Sequence, residues 1–383
     1  MVRNDSFYVQ KIEDSSYLIP TGQMVADMMC GVKINSTGEY VWQQLVNDLT
    51  NEEVINGVIR NFGIPDEEKE EISEDINAFL DNLFRLGMIY EKEMKPREEE
   101  HIKNIKIAGI NIAFYGDSAC YPKGFEDFES CINEREDLRI ELSHKFSLTR
   151  NGKVLVRNST LCVMELENSY ILSFPQTEQI RECELKKDGS LARFVLVSNM
   201  DDENKKILFH AIRAVFLYKA LDRNLVAVHS ASILYNGKAL LFSAAAGTGK
   251  STQAGYWTEL FGAHNINGDL NLVGEDNGVA KVFGIPWCGT SGIKDINEYE
   301  LGGIVFLKRS LENCVERLTD ENKILMMQQR IISPSWKKEQ TEKIFITVEE
   351  ISKKIKMYKL FCTKSSQSAH VLKEYLDRNS KEG

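Results

Sequence analysis

The stretch ILYNGKALLFSAAAGTGKSTQAG, Ile233 to Gly255, decides how the rest of the chain is read. Asn236–Gly237 stands between two apolar runs, the strongest short-range signal for a two-residue β-hairpin. The second run, Ala239 to Phe242, feeds straight into small residues ending in Gly-Thr-Gly-Lys-Ser-Thr. Strand, flexible loop and helix N-terminus together aim backbone N–H groups and a helix dipole at an anion. A bare Gly-Lys-Ser is short enough to arise by chance, but this context makes a phosphate-holding loop the reading to test. Ala246, Gly247, Thr248, Gly249, Lys250, Ser251 and Thr252 would wrap the phosphates. Lys250 would reach the terminal groups and the Ser251 hydroxyl would meet magnesium. Ala244 stands where the usual pattern has glycine, and alanine is tolerated there if its φ is negative.

The hairpin makes the strand before the loop antiparallel to its predecessor, where parallel nucleotide-binding sheets place a helix instead. In that respect the region resembles the HPr kinase and phosphoenolpyruvate carboxykinase group, with specific matches over about 225–310 and looser ones over 106–383. VHSASIL places His229 where that group has a histidine next to the phosphates. INGDLNLV places Asp269 on the following strand as the acid that organises magnesium. GIPWCGTSG, with Pro286 and Trp287, is similar to a substrate loop of the peptide-modifying kinases in the group, and MYKLFCTKSSQSAHVLKEYL to their closing strand and helix. The resemblance implies ATP and Mg2+ as cofactors, with Asp269, His229 and Lys250 as the catalytic set and Ser251 with Asp269 at the metal.

Two departures bear on activity. HPr kinases carry two adjacent aspartates after the loop, the first being the general base, whereas this chain has Gly268–Asp269. Their loop also has glycine and serine where this chain has Ala244 and Ala246. Either Asp269 does both jobs, since phosphoryl transfer depends mainly on positioning and charge, or transfer has been lost. Individual residues also have plainer readings. His229 alone would be an ordinary strand histidine, and Asn-Gly-Asp is a turn former in its own right. Trp287 would line a substrate cleft or fill a core edge. Cys288 lacks a basic neighbour in sequence and reads as inert. Lys308 and Arg309, after the apolar run GGIVFL, would meet substrate or phosphate or, more simply, form a solvated strand end.

With 383 residues, two domains are the natural expectation. No apolar run reaches membrane-spanning length and the first residues lack the apolar core of a signal peptide. Eight cysteines without a Cys-x-x-Cys pair indicate reduced thiols in a cytoplasm. The net charge of −10 sits in one place: Met1 to Lys95 holds eight of the 47 basic residues and eighteen of the 57 acidic ones, so the remainder balances. That distribution argues against nucleic acid as the partner.

The acidic segment reads as three short strands, FYVQKI, SYLI and GVKIN, followed by three amphipathic helices. The second helix opens on Thr50 with Glu53 three residues on, a capping box, and the third ends at Gly87. The run EEKEE, Glu67 to Glu71, is the exposed first turn of that third helix. The order of elements, with VKINSTGEYVWQQL and INAFLDNLFRLGMI at the two ends of the helical part, resembles the PqqD-like family over residues 1 to about 93. Members of that family recognise leader peptides of ribosomally made, post-translationally modified peptides. The resemblance implies that a leader adds as a strand beside Val32, Lys33 and Ile34, packing on the third helix. A small packing domain and a DNA-binding winged helix are the plainer alternatives.

From Tyr90 the charged run EKEMKPREEEHIKN has no apolar period and reads as a solvated linker over 94–105. Beyond it IKIAGINIAFYG, LRIELSHKF, KVLVRN, LCVMELENSYILSF and ARFVLVSN read as antiparallel sheet, and Asp201 to Leu221 as a helix. The expected fold is therefore α/β, or α+β overall. A winged-helix-like module at 1–93 precedes a mixed-sheet domain of the HPr kinase type at 106–383. The expected activity is ATP-dependent phosphorylation of a hydroxyl, foremost serine, in a precursor peptide. The expected partners are that peptide and nucleotide, with no nucleic acid and no membrane, and homo-oligomers are common among relatives of the kinase domain. A nucleotide-binding presenter without transfer and a small-molecule kinase are the two other classes the sequence admits. Carboxykinase activity is disfavoured, because no counterpart to the oxaloacetate-binding arginines is evident.

Overall fold

A computed structural model describes residues 1–26, 29–131, 135–144, 152–197 and 200–379. Asn236 (φ 50°) and Gly237 (φ 76°) form the expected tight turn, and Tyr235 pairs with Lys238 across it. The strand Val226–Tyr235 is thereby antiparallel to Lys238–Ser243, which runs into the loop and the helix Lys250–Phe261. Around this hairpin an eight-stranded mixed sheet assembles. Val226–Tyr235 also pairs with Leu270–Asp276, which pairs with Val279–Phe283 and through it with the long strand Glu298–Arg309. Glu298–Arg309 then returns to pair parallel with Lys238–Ser243, so the path closes on itself. Its last residues carry the parallel strand Lys356–Cys362, on which the helix Gln367–Asn379 follows.

The second sheet also has eight strands, from His101–Ile107 at one edge to Lys153–Arg157 at the other. The expected strands are present where described; residues 145–146 and 198–199 of those stretches lie outside the described residues. One strand, Ile180–Lys186, was hidden in sequence by its alternating charges, which are not all on the solvent side: Glu182 and Glu184 are buried. The sheet is mixed rather than antiparallel, because Leu138–Ser143 runs parallel to both Ile110–Gly116 and Leu191–Leu196. The helix Asp202–Leu221, capped by the Asp201 side chain on the Asn204 amide, buries Leu208, Ile212, Val215 and Phe216 in the core it shares with this sheet.

The N-terminal segment has the three strands Phe7–Ile12, Ser15–Pro20 and Val32–Ile34 and the helices Ser36–Gln44, Asn51–Phe62 and Lys69–Arg85 around its own core. Thr50 and Glu53 make the reciprocal capping bonds. A short pairing the sequence did not announce, Val2–Arg3 with Ile89–Tyr90, ties its two ends together. Val32–Ile34 pairs on one side with Ser15–Pro20 and is the edge of its sheet.

The charged run after Tyr90 is not a solvated linker. Met94 is 4% exposed, and His101 already begins a strand. Arg193, 1% exposed, donates to Glu141 at 2.7 Å, lies 3.3 Å from Glu91 and donates to the Lys95 carbonyl at 2.6 Å. Arg139 bridges Glu141 and the Arg97 carbonyl, and the Arg97 amide returns to Glu141 at 2.9 Å. The run docks through one of its charges, Glu91, and through the backbone of Lys95 and Arg97, on a buried arginine and a buried glutamate. No helix among the described residues is long and apolar enough to cross a membrane.

Candidate active site

Ala244 answers for itself: it is buried at 1% exposure and is not among the non-glycine residues of positive φ. Gly247 (φ 71°) and Gly249 (φ 121°) supply the left-handed turns instead. Around both glycines the space is open, the nearest atom to a Cβ at Gly249 being the Thr252 Cβ at 4.0 Å. Gly249 is the N-cap of the helix Lys250–Phe261 and has no side chain to satisfy its first amides. Those N–H groups therefore remain available to an anion.

Lys250 opens that helix at 9% exposure and makes no hydrogen bond or ion pair within the described residues. Burial pushes its ammonium below the usual lysine range, Asp269 opposes that effect and Arg330 adds to it. His229, in the middle of the strand Val226–Tyr235, brings its Nε2 to 3.2 Å from Asp269 Oδ1. The His229 hydrogen bond holds the Asp269 carboxyl below its usual range; burial works the other way, and the charges of His229, Lys250 and Arg213 add to the lowering. The three residues singled out for catalysis are thus in one place.

Asp269 is not on a strand but in the turn between His264–Asn267 and Leu270–Asp276. The Asn267 side chain accepts from the amides of Asp269 (3.0 Å) and Leu270 (3.1 Å), so the Asn-Gly-Asp turn exists and is what presents the carboxylate. Beneath it Ser230, Ser232, Asn267 and Asn271 form a buried hydrogen-bonded set. Such a satisfied network fixes geometry more strictly than apolar packing would.

Gly268 has a steric cause. A Cβ there would fall 2.1 Å from Ser291 Oγ and 2.6 Å from Ser291 Cβ. Ser291 is itself fixed, donating to the Cys288 carbonyl at 2.8 Å and accepting from the Ile293 amide. The loop that carries it packs on Asp269 as well, since a Cβ at Gly289 would lie 2.7 Å from Asp269 Cβ. Where two aspartates were looked for, the first position belongs to this loop.

Trp287 and Pro286 are buried and do not line a cleft. Trp287 is 1% exposed, donates from Nε1 to the Phe209 carbonyl at 2.9 Å and packs against Phe125, Phe209 and Phe216. Its role is to seat the 286–292 loop, not to touch a substrate.

Arg309 and three residues not singled out in sequence, Arg213, Arg330 and His210, belong to the site. Arg309, expected at a solvated strand end, donates to the Gly247 carbonyl. The Arg330 carbonyl accepts from the His229 amide at 2.8 Å, and Arg330 Nε is buried with no partner within the described residues. Arg213, on the helix Asp202–Leu221, is pushed down by burial and held up by Asp269; His210, one turn earlier, is pushed down by burial and by Arg213. No local motif marks these side chains, which arrive from three separate elements. On the outer side of the loop a cavity of about 280 Å3 is lined by Gly249, Thr252, Gln253, Tyr256, Arg309 and Lys364. Gln253 in it is 3% exposed, its Nε2 bonded to Ser368 and its Oε1 unpartnered within the described residues. A larger cleft of about 1,000 Å3, between the N-terminal segment and the Lys153–Arg157 edge, holds none of these residues.

Asp269 is thus faced by several cationic groups. Such a site suits a polyanion that comes with its own counter-cation. Ser251 and Asp269 offer oxygen donors of the hard kind magnesium takes.

No protein-family model matches the sequence. No curated protein matches it either. Among solved structures, the HPr(Ser) kinase/phosphatase from Coxiella burnetii is similar at 12% identity over 41% of this chain and 99% of that one, with a TM-score of 0.25. An overlap that loose carries no conclusion about this chain, whose fold and site stand on their own geometry.

Proposed function

We propose that the chain is an ATP- and Mg2+-dependent phosphotransferase acting on a hydroxyl. The observation that carries this reading is the His229–Asp269 pair, 3.2 Å apart, set beside a glycine-turned loop whose lysine has no partner among the described residues. Lys250, the first amides of its helix and Arg330 would hold the phosphate chain. The unpartnered Gln253 Oε1 would accept a hydrogen bond from the nucleoside end. Magnesium, held by Ser251 and Asp269, would neutralise charge on the transferring group. The acceptor oxygen attacks the terminal phosphorus as the bridging oxygen leaves on the nucleoside diphosphate. The acceptor proton passes to Asp269, which His229 orients and whose charge it balances.

The acceptor we infer is a residue, foremost serine, of a precursor peptide whose leader adds as a strand beside Val32, Lys33 and Ile34. Support for that half is the edge position of Val32–Ile34 in a three-stranded sheet on a separate small core. Incubating the protein with MgATP and a leader-bearing precursor peptide, and weighing the peptide intact, tests both parts. A phosphoryl-sized gain that disappears in Lys250→Ala supports transfer, and a gain that falls when the leader is removed supports recognition. A second reading, a nucleotide-binding presenter without transfer, is favoured by one observation: Ser291 fills the place of the first aspartate. Peptide and nucleotide both bound with no mass change would establish it.

A further inference from the structure

Away from the loop, three side chains with unlike donor atoms meet where two parallel strands end. Asp117 follows the strand Ile110–Gly116, Cys120 lies in the turn after it, and His144 follows Leu138–Ser143. One ligand atom from each lies within 4.8 Å of the others. Asp117 Oδ2 to His144 Nε2 is 2.8 Å, Cys120 Sγ to Asp117 Oδ2 is 3.5 Å, and Cys120 Sγ to His144 Nε2 is 3.9 Å. An ion about 2.0–2.3 Å from each of three such donors in tetrahedral geometry separates them by roughly 3.3–3.6 Å. The cluster reaches that arrangement by moving its atoms a few tenths of an ångström.

The surroundings orient the donors. His144 Nδ1 lies 3.2 Å from the Leu196 carbonyl, and in the tautomer that donates there Nε2 would offer its lone pair on the side of Asp117 and Cys120. Both ring nitrogens therefore face oxygen acceptors, while a neutral imidazole can donate from only one. A second ring proton or a metal cation between Nε2 and Oδ2 satisfies both, and a ring nitrogen tied to a backbone carbonyl is the usual outer-shell support of a metal-bound histidine. Asp117 is oriented likewise, its Oδ1 accepting from the Ala119 amide at 2.8 Å. Cys120 is 2% exposed whereas His144 and Asp117 are each 38% exposed, leaving an open side for water as a fourth ligand.

We propose that Asp117, Cys120 and His144 form a binding site for a borderline transition-metal ion, Zn2+, distinct from the magnesium position at the phosphate loop. The sulfur and imidazole donors select it over magnesium or calcium. Binding displaces the thiol proton to solvent and leaves the thiolate on the metal; nothing is oxidised or reduced. The ion would pin the turn at 117–120 to the end of Leu138–Ser143. That turn leads to Phe125, which packs on Trp287 under the candidate active site.

The test uses the full-length protein, freed of metal by chelation and titrated with Co2+ as a spectroscopic substitute. One equivalent should give a near-ultraviolet thiolate-to-cobalt band with intense visible bands of a tetrahedral ion, and Zn2+ should bleach both while raising the melting temperature. Cys120→Ser should abolish the charge-transfer band, and His144→Ala should weaken binding by about 100-fold or more. Cys288→Ser, which alters the thiol beside Asp269, should leave the band intact. Absence of a thiolate band in the wild-type protein, or its survival in Cys120→Ser, overturns the proposal and leaves an aspartate–imidazolium pair. The wild-type titration needs no variant to fold.

Discussion

Burial and Arg330 both work against the ammonium of Lys250, and Asp269 works for it. A lysine whose folded value is lowered costs stability at every pH below that value, and the cost fades as pH rises through it toward the ordinary value near ~10.4. Below the lowered value the cost is fully present. Lys250→Met should therefore melt at a higher temperature than the unliganded wild type while losing transfer by about 10²-fold or more. A variant that loses activity and also melts lower would sink this account. Asp269 has the opposite sign. Its carboxyl is depressed, so its contribution is complete above about pH 5 and is lost as pH falls through the depressed value. In urea titrations Asp269→Asn should be less stable than wild type at pH 6, and the two should converge near pH 2. Gly268 tests the packing. Gly268→Ala should destabilise by about 1–3 kcal/mol through its clash with Ser291, and Ser291→Gly in the same chain should recover most of that. If Gly268→Asp alone raised activity, the loop would be displaceable and the position functionally vacant.

The hairpin before the loop is the element on which the site depends, because it fixes both His229 and the strand that launches Lys250. Gly237→Ala meets no atom within 4 Å, so its whole effect is backbone strain at φ 76°, about 1 kcal/mol. A urea midpoint lowered by that amount, with nucleotide affinity kept, is the expected result. This element was fully legible: Asn-Gly between apolar runs states its own geometry. Trp287 was not legible, because a tryptophan beside Gly-Ile-Pro is equally compatible with a cleft and a core until Phe125, Phe209 and Phe216 are seen around it. Arg213 and Arg330 were illegible for a different reason, and Arg309 was legible only as one of two readings. Their positions follow from which elements lie side by side, and nothing local to each residue records that.

Across the whole molecule the same distinction holds. Periodicity and turn residues located the three N-terminal strands, the capping box and the long helix, since each is decided within a few residues. Charge patterning misled over 94–105, since it says nothing of the backbone, and there the Lys95 and Arg97 carbonyls are taken up by Arg193 and Arg139. Glu91→Gln should lower stability by about 1–3 kcal/mol, against ±0.5 for a surface substitution, because it weakens the pairing of a guanidinium 1% exposed. Fluorescence-monitored urea unfolding would measure it. That docked strap has a further consequence. A flexible connection would let the edge proposed to hold the peptide wander, and a captured substrate would present residues at many distances with similar ease. A connection locked by buried ions behaves as a caliper: the reach to the phosphate must come from the substrate's own chain. Phosphorylation should then stop abruptly when residues between leader and acceptor are deleted, and decline only gradually when residues are added.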